Sequence, residues 1–550
     1  MEGPVRILDA QGNPMAPARR PAMGLAGGGR NVPYDAADLL GSHTREWQPY
    51  LWSPDGELNP WRDTIVARMR DLVRNDGWAS GAVTRILDNA VGANFRPIAK
   101  PDYRALAILT GIKGFDEQWA YEYSKALDAS YRTWANSRGR WCDVQRRQSA
   151  SQLFRLGFRH KLIDGDALAM VQWRNERLGR GRARYATALQ MIDPDRLSNP
   201  NYKFDDQLMR GGCEVDDDGV TVAYHIRRAH QGDWFSASDS LRWDRIERET
   251  DWGRPVIVHD FDTERSNQHR GGVGILGPVM TRLKMLYRYD IAELDSAILN
   301  AILGAWLESP FDQEFAQEAL EGGEKLGAYQ DARLDYHEQA NIRVPGTGSI
   351  LPKLFPGEGI KTLDAKRPSS NFGIFEKAVL RNVASAAGMS AQQVSNDWSD
   401  VNYSSARGAM LEFWKTMTRR RDDFASGFCQ PIFGAFVEEA HEIDDLPLPA
   451  GAPEFLEHPE AYSRAKWIGP GRGWIDPVNE VKGAILGMDA AVMDYDEICA
   501  EQGVDGDDMI LARKNTIRRF REAGLEPPSW AGMGLNDVPA NKTIEDPSPQ

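Results

Sequence analysis

Phe372-Gly-Ile-Phe-Glu-Lys-Ala-Val-Leu-Arg-Asn-Val-Ala-Ser-Ala-Ala-Gly388 is the stretch on which the reading of this chain turns. Phe372, Phe375, Val379, Val383 and Ala386 recur at steps of three and four, which draws one apolar stripe along a helix. Gly388 stands where a C-terminal cap belongs, and Met389-Ser390 leads out. Residues 391–405 are polar and turn-rich. The loop from Val394 to Ser405 carries no stripe of its own, so it is expected to project from the body rather than pack within it. From Ala406 the stripe resumes through Met410, Phe413, Met417, Phe424 and Phe428. Pro431 lacks an N–H and crowds the preceding turn, so a kink is expected there, before Phe436 and Val437.

Around this block, length and composition set bounds. At 550 residues the chain exceeds one ordinary core, and three or four structural units are expected. With 41% hydrophobic and 27% charged residues and 17 Trp, it is globular rather than disordered throughout. No apolar run reaches the roughly 18–20 residues of a membrane span. The N-terminus lacks the charged-then-apolar order of a signal peptide, so synthesis in the cytoplasm is expected. Cys142, Cys213, Cys429 and Cys499 are far apart and form no CxxC pair, the usage of a reduced compartment, which excludes a cysteine-based zinc site. Net charge is −14. A protein that grips duplex DNA tightly is normally basic. This balance fits an acidic cytoplasmic protein, and it fits equally a conduit along which DNA slides without sticking.

Residues 1–45, with Pro14, Pro17, Pro21 and Gly27-Gly28-Gly29, read as a mobile arm, and 536–550 as a loose tail. Helices are expected from near Asp63, with a break at Asn75-Asp76-Gly77, and again over about 117–135. Strands are expected around 167–173, 186–192, 220–226 and 256–261, with Asp217-Asp218-Gly219 as a turn between two of them. Helix returns over about 278–308, where Ala297, Ala301, Gly304 and Ala305 leave a small-residue face for close packing. Residues 310–370 are mixed. Further helices are expected near 478–489, 494–502 and 508–523.

Several motifs invite a chemical reading and have a plainer one. Gly272-Val-Gly274-Ile-Leu-Gly277 fits GxGxxG, yet the preceding strand ends near Phe261, too early for a phosphate-cradling turn. A glycine hinge feeding a helix is the better reading. His259-Asp-Phe-Asp262 with His269 nearby, and His225 with His230, resemble metal sites. Alternation along a strand puts His259 and Phe261 on one face and Asp260 and Asp262 on the other, so a satisfied histidine is expected. Asp164-Gly-Asp166 and Asp193-Pro-Asp195 are read as turns rather than paired acid–base carboxylates. Arg419-Arg420-Arg421, followed by Asp422-Asp423, reads as a solvated helix face. Neither GxxxxGK[ST] nor GxSxG occurs, so the chain is neither a P-loop motor nor that kind of serine hydrolase. No catalytic residue, metal or cofactor is assigned.

Against this background the helix–loop–helix block resembles the lambda-type portal proteins of tailed bacteriophages, in which an "AAGMS"-like turn precedes a loop reading "NYSSAR". The similarity extends from about Arg62 to Trp530. Leu72-Val-Arg-Asn-Asp-Gly-Trp-Ala79 resembles "LVRNNGYA", and Ile192 to Pro200 is similar to the "P-x-RISNP" stretch. His259 through Gly271 parallels "H-x-F…Q-x-RG", Leu283 to Leu286 parallels "MKML", Ser370 to Arg381 echoes "S-x-FEQSLLR", and Trp467 to Arg472 resembles "WIGSGR". Residues 177–184 and the N-terminal arm have no counterpart.

The resemblance implies an α+β, mainly helical portal fold. In it, 46–275 would form the wing, helical then β-rich, and 276–309 the first stem helix. The clip would follow at 310–370, the second stem helix at 371–390 and a tunnel loop at 391–405. A long kinked wing helix at 406–445 and a C-terminal wing and crown at 446–535 would complete it. It implies a non-enzymatic, homo-dodecameric ring at one capsid vertex, through which double-stranded DNA enters and leaves without sequence preference. The terminase large subunit, a head–tail connector, the major capsid protein and a scaffold are the implied partners, the virion is the implied location, and no membrane is involved. Within it, Asn396, Asp397, Asp400, Asn402 and Arg407 would face DNA. Ala297, Ala301 and Ala305 would pack the stem, and Tyr329, Arg333, Lys353 and Phe355 would lie at the docking end of the clip. Two other classes compete: a metal- or carboxylate-dependent hydrolase built on the β region, and a different head–tail connector ring.

Overall fold

The computed structural model describes residues 46–302, 306–308, 341–343, 350–352, 359–361, 372–399, 401–473 and 476–527, with 331, 334 and 335. Pro54–Asn75 (α1) begins a good two turns before the expected onset. Its start has a local cause: Pro54 is pre-set for a first helical position, and Asp55 and Glu57 sit at the positive end of the helix dipole. The expected break then falls in place. Asp76 caps Gly77–Ala90 (α2), its carboxylate accepting from the Ala79 N–H at 2.8 Å. Arg96–Ala99 (β1), Tyr103–Thr110 (α3), Glu117–Ala135 (α4) and Ala150–Asp164 (α5) follow. Only α4 among these four was legible beforehand. α5 opens with a Ser149–Gln152 capping box and ends at Gly165, whose φ of 84° is left-handed.

The expected strands all form. Asp166–Trp173 (β2) is the centre of an antiparallel three-stranded sheet, flanked by Thr187–Ile192 (β3) on one side and Ile257–Phe261 (β8) on the other. Leu168 stands opposite both Ile192 and His259. A second antiparallel sheet joins Met209–Arg210 (β4), Cys213–Val215 (β5), Thr221–Arg227 (β6) and Trp243–Glu247 (β7) in that order. The predicted turn connects β5 to β6, with Asp216 accepting from the N–H groups of Asp218 and Val220. A small apolar cluster of Leu168, Ile192, Leu197, Cys213, Tyr224, Ile226 and Ile257 joins the two sheets.

Met280–Ile302 (α6) is shorter than the helix expected over 278–308. Trp306–Glu308 (β9) is extended instead and pairs with Gly359–Lys361 (β12), while Asn341–Arg343 (β10) pairs with Ile350–Pro352 (β11). Trp306 and Leu307 suit a pleated ladder with a partner, which overrides their capacity to continue a helix. Then come Phe372–Ala387 (α7), Ala391–Ser395 (α8), Tyr403–Phe424 (α9) and Gln430–Ile443 (α10). Ala465–Ile468 (β13) returns to pair with β1, and Pro477–Asp489 (α11), Tyr495–Glu501 (α12) and Gly506–Glu522 (α13) close the described chain as expected.

The predicted kink at Pro431 takes a different form. Ala425–Cys429 makes a widened turn in which the Gln430 N–H reaches back five residues to the Ala425 carbonyl. The extra residue in that turn lies just ahead of a proline that has no N–H to give and whose ring would crowd the carbonyl four residues back. Gly427, within this turn, lies so close to the Asp260 carboxylate that a Cβ there would collide with it.

The core lies where α10 packs on α4 and the three-stranded sheet, and where the end of α9 and the widened turn after it meet α5. Trp134 stacks on Phe436 at 5.0 Å, Tyr131 meets Phe433 edge-on at 5.6 Å, and Phe158 packs on Phe424 at 5.1 Å. Each such ring taken from water contributes on the order of 1.5–3 kcal/mol. Polar ties lock the layers. The buried Glu439 carboxylate accepts from the N–H groups of Ala186 and Thr187 at the start of β3, and Arg254 donates to the Ala435 carbonyl and to Glu438 at 2.8 Å each.

Candidate functional site

Two features organise the candidate site: the hairpin formed by α7, α8 and α9, and the buried ionic cluster that fixes the helices beside it. The helix forms as expected but buries a different face: Leu380, Val383, Ala384 and Ala387 are buried along α7, whereas of the expected stripe only Val383 is buried and Phe375 is exposed, its ring meeting Tyr289 of α6 instead. Gly388 has a φ of 70°, and a Cβ there would press on Thr416 of α9, so the glycine serves both the cap and the close pass of the two helices.

The loop then departs from expectation. Ser390 and Gln393 form a capping box that nucleates α8, and Gln393 and Val394 are buried. The Val394 carbonyl accepts from the Arg85 guanidinium of α2 at 3.0 Å. Val394, the expected start of the projecting loop, is therefore packed, and the projection starts beyond α8. The signal was present as S-x-x-Q before an apolar residue.

Beyond α8 the chain is exposed. Asn396 adopts a φ of 57° and ends α8. The Asp397 carboxylate accepts from the N–H and hydroxyl of Ser399, and those bonds hold it below the usual carboxylate range. Asn402 caps α9, accepting from the Ser405 N–H at 2.8 Å. Arg407 lies exposed in the second turn of α9. Asp400 lies outside the described residues. Three of the five residues singled out here thus have turn and capping tasks, which explains why they are Asn and Asp. Trp398, 38% exposed in the same loop, was not singled out.

On the neighbouring helices, Tyr289 of α6 meets Phe372 and Phe375 of α7 at 5.5 and 5.4 Å. Ala297 is half-buried on α6 and Ala301 is within the same helix, whereas Ala305 falls outside the described residues. More prominent than the small-residue face are large exposed side chains: Leu294 at 63%, Ile298 at 54% and Ile374 at 70%. Ile291, Leu294 and Ile298 recur at three and four residues, a stripe the sequence offered and a small-residue reading passed over. Tyr329, Arg333, Lys353 and Phe355 lie outside the described residues.

The ionic cluster corrects the reading of Asp164-Gly-Asp166 and Asp193-Pro-Asp195 as mere turns. Asp166 is fully buried between Arg62 and Arg270, at 2.7 and 2.9 Å, and its other oxygen meets His259 at 3.0 Å. Burial alone would raise its pKa, but Arg270, Arg62 and His259 outweigh that and hold it well below the usual range. Arg70 spreads one guanidinium over Asp164, Asp193 and Asp195 at 2.7, 2.8 and 2.6 Å. His160, Asp164 and Asp193 also lie close enough to share a metal, but Arg70 already bridges the two carboxylates. The other histidines have partners as well: His225 faces Glu214 at 3.1 Å, and His269 bridges Asp55 and the Gly219 carbonyl. His230 is exposed. Gly272 and Gly274 bring the segment after β8 against Leu58 and the Ile163 carbonyl where a Cβ would clash, which is the glycine hinge expected.

Arg421 also corrects its reading. It is buried, not solvated, and donates to the carbonyls of Ala90, Asn89 and Pro470 at 2.7, 3.1 and 3.1 Å. Arg419 alone keeps the expected surface pairing, with Asp423 at 2.9 Å.

Residues 40–421 match the family described as "Phage portal protein, lambda family". The chain belongs to that family. Among its portal relatives, "Portal protein B" of Escherichia phage lambda is 29% identical over 518 residues, covering 92% of this chain and 93% of the relative. "Portal protein" of Escherichia phage N15 is 29% identical over 503 residues, covering 90% and 92%. "Probable portal protein" of Halomonas phage phiHAP-1 is 24% identical over 496 residues, covering 86% and 84%. A solved structure described as "Neck of empty GTA particle computed with C6 symmetry" has a TM-score of 0.45 at 14% identity, covering 80% of this chain and 93% of that chain. By its family match and portal relatives the chain is a portal protein, and its described elements are α+β, mainly helical. Among the described residues, no helix is long and apolar enough to cross a membrane.

Proposed function

We propose that copies of this chain close into a dodecameric ring at one capsid vertex and form the conduit for double-stranded DNA during packaging and ejection. The observation that carries this reading is the family match together with relatives named portal proteins along more than nine-tenths of both chains. The exposed stripe Ile291, Leu294 and Ile298, beside Ile374, supports it, because apolar side chains on a long helix gain by contact with another copy.

In this reading α6 and α7 are stem helices, residues 310–370 the clip, and the exposed residues between α8 and α9 the DNA-facing loop. Asn396, Asp397, Asp400, Asn402 and Arg407 guide the duplex without holding it. Each copy brings a net −14, and acidic walls keep phosphates from docking. The terminase large subunit and the head–tail connector dock at the clip, including Tyr329, Arg333, Lys353 and Phe355. The major capsid protein, and a scaffold during assembly in the host cytoplasm, surround the wing. The ring itself performs no chemistry.

Negative-stain imaging of the purified full-length protein tests this. Rings with a central hole are expected. A monomer at micromolar concentration under several salt and scaffold conditions overturns the reading.

A further inference from the structure

The charges of α13 are segregated along its length. Asp507 and Asp508 occupy its first turn, and Arg513, Lys514, Arg518, Arg519 and Arg521 its second half, with no acid from 513 to 521. The acidic end is spent on holding the helix to the body. Asp507 pairs with Lys125 at 3.1 Å, and Asp508 with Arg132 at 2.9 Å and Arg96 at 3.5 Å. All five cations of the other end are exposed.

A plain solvated helix face would interleave the two signs in pairs four residues apart. Here only one such pair forms in that half, Arg518 with Glu522 at 3.8 Å. Among the described residues no carboxylate lies within 4.0 Å of Lys514, Arg519 or Arg521. The helix dipole accounts for cations in the last turn but falls off beyond it, leaving Lys514 unexplained. Arg513, Lys514, Arg518 and Arg521 border one groove of about 840 Å³ with Tyr495, Ile517 and a single carboxylate, Glu522, the partner of Arg518.

We infer that the basic half of α13 is a phosphate-contact element for duplex DNA; the choice of ligand rests on the conduit reading. Four of the five cations are arginines, whose planar fork matches phosphate oxygens. From 513 to 521 the helix runs about 12 Å, the reach of three or four successive phosphates on one strand. In a chain of net charge −14 the attraction is confined to this patch, because screening limits it to about 8 Å at physiological salt.

The test compares the assembled full-length protein with its Lys514→Gln, Arg518→Gln, Arg521→Gln triple variant. The readout is fluorescence anisotropy of a labelled duplex across a salt titration starting near about 50 mM. Glutamine keeps helix propensity, and circular dichroism with negative-stain imaging checks fold and rings. The expected result is at least about tenfold weaker binding by the variant and a salt slope shallower by roughly 2–3. Equal affinity and slope for the two proteins overturn the inference. Capture of poly-L-glutamate by the wild type with no binding of duplex also overturns it, in favour of an acidic protein partner. A DNA difference that persists while both preparations lack rings removes the conduit reading and leaves the contact element standing.

Discussion

Asp166 and Arg270 meet in the interior with neither side chain open to water, the guanidinium Nε and one terminal nitrogen both donating to the same carboxylate oxygen at 3.0 and 2.9 Å. The other contacts of Arg270 go to the carbonyls of Leu197, Gly211 and Pro194, so the pair ties β2 to the loops carrying the second sheet.

Removing one partner of such a pair leaves an uncompensated buried charge. Asp166→Asn is expected to cost about 3–5 kcal/mol, because Arg62 and Arg270 both lose their counter-ion. Asp193→Asn, in a partly solvated arrangement, is expected to cost no more than about 1 kcal/mol. Urea denaturation of the two variants checks the ranking, and equal midpoints would show that the buried cluster does not hold the fold.

His441 gives a pH dependence of known sign. It is half-buried against Tyr462 and Phe455, with a ring nitrogen 2.7 Å from the Tyr123 hydroxyl, and burial pushes its pKa down to about 4. The unfolded chain therefore takes up this proton first. The stability that comes from a neutral His441 is present above about pH 6.5 and is lost as pH falls toward 4, by up to about 3 kcal/mol. Asp128, raised to about 6 by burial, works the other way, losing stability as pH rises through that value. Comparing wild type with His441→Gln cancels the Asp128 contribution. The melting temperature of the variant is expected to fall less between pH 7 and pH 4, and parallel curves would refute the assignment.

The packed and exposed halves of the 391–405 stretch call for different outcomes. Deleting residues 397–401 spares Asn402, the cap of α9, and its described residues are exposed or, at Val401, half-buried, so folding and rings should survive. Packaging or retention of DNA should fail. Particles carrying this deletion and filled with full-length genome at wild-type efficiency would sink the DNA-facing role. Val394→Ala, by contrast, is expected to cost about 1–2 kcal/mol in stability because Val394 is buried.

Ile298→Glu places a charge on the exposed stripe of α6 without entering the core of one chain. A folded protein that no longer forms rings is expected, with an unchanged melting temperature for the isolated chain. Analytical ultracentrifugation showing normal assembly would move the copy-to-copy contact elsewhere.

Much of this was legible in advance because it is local. The existence of α7, the stripe of α9, the Gly388 cap, the Asp217-Asp218-Gly219 turn and the alternation at His259 depend on residues near one another in the chain. What escaped depends on distant partners. Asp164 and Asp166 form a turn, but their charges are met by arginines about a hundred residues away. Arg421 looked solvated because its partners are carbonyls, which carry no mark in the sequence. The end of α6 was misplaced because Trp306 and Leu307 are decided by a ladder with 359–361. The exposed stripe of α6 was legible but passed over, since apolar spacing alone does not say whether a neighbour is present.

The three carbonyls held by Arg421 have a mechanical consequence. Asn89 and Ala90 close α2, and Pro470 follows β13, so one guanidinium fastens α9 to two segments that approach it from separate parts of the chain. A push delivered along α9 from its Asn402 end is therefore divided between those two segments near its far end, where the widened turn at 425–429 begins. α9 is thus fixed at its far end by Arg421 and along its middle by the buried Phe413 and Met417, and its first two turns stand free of that bracing.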